Sequence, residues 1–318
     1  MKSNSRHIII ITLITVFCSA FSFAQYNGKA DFETAAILFS EYGKNKALLG
    51  KLDSAYTLME RSFSDEKISS TATANNYSGA IFKELYKTRE ADNASSSFRK
   101  MAFDRFIHSW NLDTSRKNRD IVKPQLKWIA GQYNNDAKRS LESNTDVESA
   151  QKNFSEFKKI YLIIDPAFNV KGKEIEFELA CGSALQEKAE KLGKKEFYDL
   201  AKVSYLKVLD LDTANNDANY NMGIIYYNQG AFLIMKVLDF DTPLDSISII
   251  EDMAKKLFIQ AKPFMHKANF EKPNCLKILE GLMGIYYSLN DEDNFKRYKA
   301  LFEKLKSDIE SGILKEDC

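Results

Sequence analysis

Apolar residues recur at steps of three and four over most of this chain. Val147, Ala150, Phe154, Phe157 and Tyr161 fall on one helical face, and Phe98, Met101, Ala102, Phe106 and Trp110 fall on another. No segment sustains strict alternation of apolar and polar positions, so the pattern predicts an all-α protein. The first 24 residues follow a different rule. Lys2 and Arg6 precede an uncharged run from Ile8 to Ala24, and Ser22 and Ala24 put small residues before Gln25. This is the layout of a cleavable export signal cut after Ala24. The run is short for a hydrocarbon core of about 30 Å. Phe17 is too bulky to precede a lipidated Cys18. No later stretch approaches 18 apolar residues, so no membrane insertion is expected once the signal is removed.

The helices repeat. Ala102, Phe106, Trp110, Leu112, Asp113 and Thr114 match Ala201, Tyr205, Leu209, Leu211, Asp212 and Thr213 at a constant offset of 99. Phe154, Lys158, Leu162, Ile164, Asp165 and Pro166 fit the same frame. Ala261, Met265, Ala268 and Pro273 keep its spacing of small, large, small, then stop. A second type of helix carries a hydrophobic or small residue, then Gly, then a bulky residue three positions on. Examples are Ser78-Gly79 with Phe82, Cys181-Gly182 with Leu185, and Met222-Gly223 with Tyr226; Leu282-Met283 with Tyr286 is a variant. A small residue there lets the partner helix approach closely.

This arrangement resembles the tetratricopeptide repeat (TPR), and in particular the exported TPR proteins of Gram-negative bacteria. The resemblance is strongest over 174–300 and runs through Asn219-Tyr220-Asn221-Met222-Gly223-Ile224-Ile225-Tyr226. It implies an all-α, TPR-like α-solenoid of about six antiparallel helix pairs, at about 30–65, 72–114, 122–166, 174–213, 216–273 and 276–311. Domain organisation would then be a signal peptide, 1–24, and one helical repeat domain, 25–318. Met222 and Leu282 are 60 positions apart, so the fifth pair must have extended helices or a short extra one near 239–258. Asp239-Phe240-Asp241-Thr242-Pro243 supplies turn chemistry there, and the Ser-rich stretches Ser64–Asn76 and Ala91–Ser97 read as inter-helix loops.

Composition narrows the chemistry. The 318 residues include only 13 Gly and 5 Pro, which argues against a β-sandwich or barrel. Lys+Arg 45 against Asp+Glu 44 becomes 43 against 44 when Lys2 and Arg6 leave with the signal, so nothing favours nucleic acid or an anionic membrane. Beyond the signal, the histidines are His108 and His266, far apart on helices. No His-Glu-x-x-His, Gly-x-Ser-x-Gly, phosphate-binding glycine loop or Cys-x-x-Cys occurs. Asp210, Asp212 and Asp217, and Asp291 to Asp293, read as caps and solvated turns rather than calcium ligands. Trp110 and Trp128 read as core. No catalytic residue, cofactor or metal site is expected.

What remains is surface. In stacked helix pairs the first helix of each pair lines the concave side, which nominates Tyr220, Ile224, Tyr227 and Asn228 with Lys277 and Glu280. Asn221 and Lys277 match two positions of the family's carboxylate clamp, but Leu179, Ser183 and Gly281 lack the groups it needs, so no clamp is expected. Cys275 and Cys318 bracket the last pair, whose antiparallel return makes a disulfide geometrically feasible in an oxidising compartment. The expected function is a non-enzymatic scaffold, periplasmic or secreted, that binds a protein or peptide. The competing class is a glycan-binding or transport accessory using an aromatic groove.

Overall fold

The computed structural model describes residues 28–144, 146–237 and 243–318. The export signal and the segment from Asp239 to Thr242 lie outside those residues. Among the described residues every regular element is a helix. The helices gather into two compact units that divide between Gln125 and Leu126.

The first unit holds α1 (Gly28–Lys44), α2 (Leu49–Ser62), the single turn α3 (Glu66–Ser69), α4 (Ala72–Arg89), α5 (Ser97–Leu112) and the start of α6 (Arg119–Asn144). Helix α1 packs on α2, α4 on α5, and α2 on α4. Ile81, Phe82, Leu85, Ala102 and Phe106 are buried between them. Burial of Ile81, Phe82, Leu85 or Phe106 contributes about 1.5–3 kcal/mol each. Sequence reading placed a loop over Ser64–Asn76, but the structure makes most of it helical. Asp65 caps α3 by accepting from the Lys67 N–H, and Thr71 caps α4 by accepting from the Ala74 N–H. Residues that read as loop composition are there as N-caps, each opening a helix at once.

The second unit holds the rest of α6, α7 (Val147–Ile164), α8 (Val170–Leu192), α9 (Lys195–Leu211), α10 (Asn216–Phe232), a π-helical turn Leu233–Val237, α11 (Leu244–Glu271), α12 (Leu276–Ser288) and α13 (Glu292–Glu310). Three hairpins, α8–α9, α10–α11 and α12–α13, stack in chain order. Helix α9 meets α10, and α11 meets α12. The first helices are also neighbours, with α10 against both α8 and α12. Two apolar clusters alternate along this stack. Leu185, Tyr205, Val208, Met222 and Ile225 join α8, α9 and α10. Met265, Ile278, Leu282, Ile285, Tyr286, Tyr298 and Leu305 join α11, α12 and α13.

One contact sets the register of three pairs. A Cβ added at Gly79 would lie 2.8 Å from the Phe106 ring, one at Gly182 would lie 2.6 Å from the Tyr205 ring, and one at Gly223 would lie 3.0 Å from the Met265 methyl. Phe106, Tyr205 and Met265 are the large residues of the repeated frame, so the two sequence signals describe the two sides of one contact. A second recurrence was not read from the sequence. Four residues before Gly79 and Gly223 stand the buried Asn75 and Asn219. Each side-chain amide donates to two carbonyls of the preceding turn: Asn75 to Ser69 and Thr71, Asn219 to Thr213 and Asn215. These bonds anchor the loop entering the first helix at the point where backbone acceptors would otherwise be unpaired.

The fifth pair resolves its 60-residue step by extension. Phe106 and Tyr205 stand nine and ten residues into α5 and α9, whereas Met265 stands 21 residues into α11. Helix α11 therefore starts about three turns earlier than the frame requires.

Candidate functional site

Met265 is the hinge point of the site. It covers Gly223 on α10 and also Gly281 on α12, where an added Cβ would lie 2.7 Å from its methyl carbon. Beyond Gly281, α12 runs only to Ser288, while α11 runs back from Met265 to Leu244. The long helix outreaches the short one, and the turn from α12 to α13 leaves the space beside it open. The result is a cleft of about 770 Å³, within the range of about 300–1,000 Å³ usual for ligand pockets.

One wall is Tyr227 and Ala231 of α10 with Ile234 and Met235 of the π-helical turn. The floor is Ala254 and Phe258 of α11, and Phe258 fills the gap beside Gly230, where an added Cβ would lie 2.7 Å away. The opposite wall is Tyr286 to Asp291 with Phe295 of α13. Met235 is 74% and Tyr287 71% exposed, so the mouth presents large apolar groups to solvent. π turns of this kind occur frequently at functional sites.

Charge around the mouth is mixed, with Lys262 acting on Asp291 and Lys296 paired with Glu292. Glu251 and Asp252 come from α11, and Asp291 and Glu292 from the start of α13; Lys255 is the cation among the described lining residues. Asp291 caps α13, and the Asn294 side chain and backbone hold its carboxyl below the usual carboxylate range. The Lys296 ammonium, 2.8 Å from Glu292, does the same for that residue. Both carboxylates therefore stay ionised at neutral pH.

The residues nominated from the repeat frame fall along the seam between α10 and α12. Tyr220, Ile224 and Tyr227 pack against the apolar cluster of the last two pairs. The Lys277 ammonium sits 5.0 Å from the Tyr220 ring centre. Burial, and then the Glu280 carboxylate, raises the Tyr220 phenol pKa, so the structure brings Tyr220, Lys277 and Glu280 together. The Tyr227 ring packs against Phe258, tilted by 46° at 5.6 Å between ring centres, with its hydroxyl where a Gly284 side chain would stand, and reaches the cleft. Asn228 is half-buried on α10 and does not line the cleft. Sequence reading missed Met235, Glu251, Asp252 and Tyr287, because nothing local marks how far α11 overreaches α12.

His266 belongs to structure. Its Nε2 lies 2.6 Å from the Tyr286 hydroxyl and its Nδ1 3.4 Å from the Tyr298 hydroxyl. Burial first, then Lys262 and Arg297, lowers its pKa. A second cavity of about 410 Å³ lies among α7, α8 and α9, lined by Phe154, Phe177, Glu174 and Glu178 with Lys158 and Lys207. Lys158 pairs with Glu174, and Lys207 with Glu178 at 2.9 Å. Nearby Cys181 is fully buried. Burial, and secondarily Glu178, pushes its thiol up to about 12, which removes any nucleophilic role at neutral pH.

At the far end of the last pair, Cys275 and Cys318 are joined by a disulfide that spans 43 positions of sequence. Cys275 is the N-cap of α12 and offers no side-chain cap. The C-terminal segment supplies one instead: the Leu276 N–H donates to the Glu316 carboxylate at 3.2 Å, and the Asn274 N–H donates to Asp317 at 3.2 Å. The Asp317 N–H returns a bond to the Asn274 carbonyl at 3.1 Å.

No protein-family model and no curated protein matches the chain. Among solved structures, Pseudomonas aeruginosa pilF is similar at 12% identity and a TM-score of 0.30, covering 88% of this chain and 100% of that one. Among the described residues no helix is long and apolar enough to cross a membrane.

Proposed function

We propose that this is an exported, non-enzymatic helical-repeat scaffold that binds another protein or a peptide in the bacterial envelope, in the periplasm or after secretion. The observation that carries the binding reading is the cleft of the second unit, where Met235 and Tyr287 are held in solvent at the mouth of an apolar-floored space. Contiguous exposed apolar groups rimmed by polar ones mark interaction surfaces. Export is supported by the signal-like pattern of residues 1–24 and by the Cys275–Cys318 bridge, since such bridges persist in oxidising compartments.

The test is photo-crosslinking in cells, with a crosslinking amino acid at Met235 or Tyr287 and, as reference, at Leu200, an exposed apolar position on α9. Discrete adducts at the two cleft positions and none at Leu200 are expected. Equal yields at all three positions would remove the cleft as the binding site. N-terminal sequencing of the purified protein, expected to begin at Gln25, checks export.

A further inference from the structure

The Cys275–Cys318 bridge joins two cysteines in unlike surroundings. Cys275 is fully buried at the N-cap of α12, and Cys318 is exposed. We infer that the bridge is a redox latch. A dithiol opens it by attack on Cys318 while the last hairpin stays folded, and opening frees residues 315–318 and uncaps α12.

The hairpin has contacts of its own that do not pass through the bridge. Ile278, Leu282, Ile285, Tyr286, Tyr298 and Leu305 form its apolar cluster within α12 and α13. The end of α13 is closed by its own backbone: the Gly312 N–H donates to the Ile309 carbonyl, and the Ile313 and Leu314 N–H groups donate to that of Asp308. Gly312 has a φ of +73°, the left-handed conformation that commonly ends helices. Residues 315–318 are all exposed. The bridge sets them against the α11–α12 junction, where Glu316 and Asp317 accept from the Leu276 and Asn274 N–H groups. Breaking one covalent bond therefore releases a short, solvated segment and leaves the buried contacts in place.

Thiol–disulfide exchange proceeds by attack of a thiolate on one of the two sulfurs, and access helps decide which. Here the attack falls on Cys318 Sγ. A new S–S bond to the reductant forms as the bridge breaks, and the electron pair leaves on Cys275 Sγ. That residue stands at the N-terminal end of a helix, where negative charge is stabilised, and its sulfur then takes up a proton. The second thiol of the reductant, as thiolate, displaces Cys318 Sγ, which is protonated in turn. The dithiol ends as a disulfide and the bridge as two thiols, with two electrons and two protons transferred. An external disulfide runs the steps backwards and closes the latch.

A third cysteine supplies the control. Cys181 is a fully buried free thiol on α8, so its alkylation reports opening of the structure. The purified, disulfide-bonded protein is treated with dithiothreitol and a rapid alkylating reagent, and each cysteine is followed by mass spectrometry. Cys318 should be modified at least about tenfold faster than Cys181, at a rate that rises in proportion to dithiothreitol concentration. With the monothiol 2-mercaptoethanol, the adduct trapped by acid should sit on Cys318. Helical circular dichroism should be unchanged after reduction, while hydrogen exchange quickens at 274–277 and 315–318; oxidised glutathione should restore slow exchange. Equal modification of Cys181 and Cys318, or a rate that stops rising with dithiothreitol, means that the bridge opens only on unfolding and overturns the inference. So does an adduct on Cys275, or exchange at 274–277 that reduction leaves unchanged.

Discussion

The α8–α9 and α10–α11 hairpins share one internal contact and differ in everything beyond it. In both, a glycine on the first helix receives a large residue from the second: Gly182 takes Tyr205, and Gly223 takes Met265. In the shorter hairpin the turn follows soon after. Leu192 ends α8 and Lys195 opens α9, and the second helix keeps Ala201, Ser204, Tyr205 and Val208 buried while Leu200, Val203 and Leu206 face solvent. In the longer hairpin α10 runs into a π turn and α11 begins about three turns early, so the added turns pass beyond α12 and form one side of the cleft. The repeat contact therefore fixes how two helices meet, while helix length beyond that contact shapes the larger cleft. Stacking and the cleft are built from different parts of the same hairpin.

Four measurements bear on that division, beginning with the contact that joins the longer hairpin to its neighbour. Met265→Ala should cost about 2–5 kcal/mol in chemical denaturation, because Met265 fills the gap beside both Gly223 and Gly281. A loss below 1 kcal/mol would mean that the long hairpin does not depend on this wedge.

Cys318→Ser should cost about 2–4 kcal/mol and strip the α12 N-terminus of its remote cap. Hydrogen exchange should quicken across α12 and α13 and leave α8 and α9 unchanged. Uniform quickening would show the hairpins to be one cooperative block.

Gly182→Ala and Gly223→Ala compare the two contacts directly. The Tyr205 ring is buried, with its hydroxyl 3.3 Å from Ser183 Oγ and 3.2 Å from Gln186 Oε1, and cannot give way. Gly182→Ala should therefore cost about 1–3 kcal/mol. At Gly223 the nearest atom is a mobile methionine methyl, and the gain in helix propensity of up to about 1 kcal/mol should leave the variant near neutral. Equal penalties would show that the second-helix residue does not set the tolerance.

The smallest effect is on pH. His266 has a folded-state pKa below its ordinary 6.5, so the unfolded chain protonates first as pH falls. Stability is complete above about pH 6.5 and is lost progressively below it. The loss should register in α11–α13 and be flattened in His266→Gln; an unchanged acid slope in that variant would remove His266 as its source.

Much of the architecture was legible in the sequence. The offset of 99 pairs α5 with α9 because Phe106 and Tyr205 occupy the same place against Gly79 and Gly182. The recurrent Asp113, Asp165 and Asp212 do close α5, α7 and α9, each backbone N–H donating four residues back. Periodicity identifies a face but not a length, and so the extent of α11 was open. The cleft was hidden for the same reason, since it depends on the difference in length between α11 and α12, elements made from separate stretches of chain. Glu251 and Asp252 look in sequence like any solvated helical pair; only the fold places them on the same cleft as the turn at Asp291. Asn75 and Asn219 were readable in principle, as a polar residue four positions before each glycine, but an Asn near a helix start has so many local roles that spacing alone does not single it out.

The bridge between Cys275 and Cys318 also changes where the chain takes a load. Any handle or further segment attached past Cys318 pulls, through the covalent link, on the junction between α11 and α12. The stretch from Leu276 to Asp317 forms a closed ring in parallel with that link and carries none of the tension. While the bond is intact, on the order of 150 Å of contour length is withheld from extension, and force applied at the C-terminal side is delivered to α11, the helix that builds the cleft.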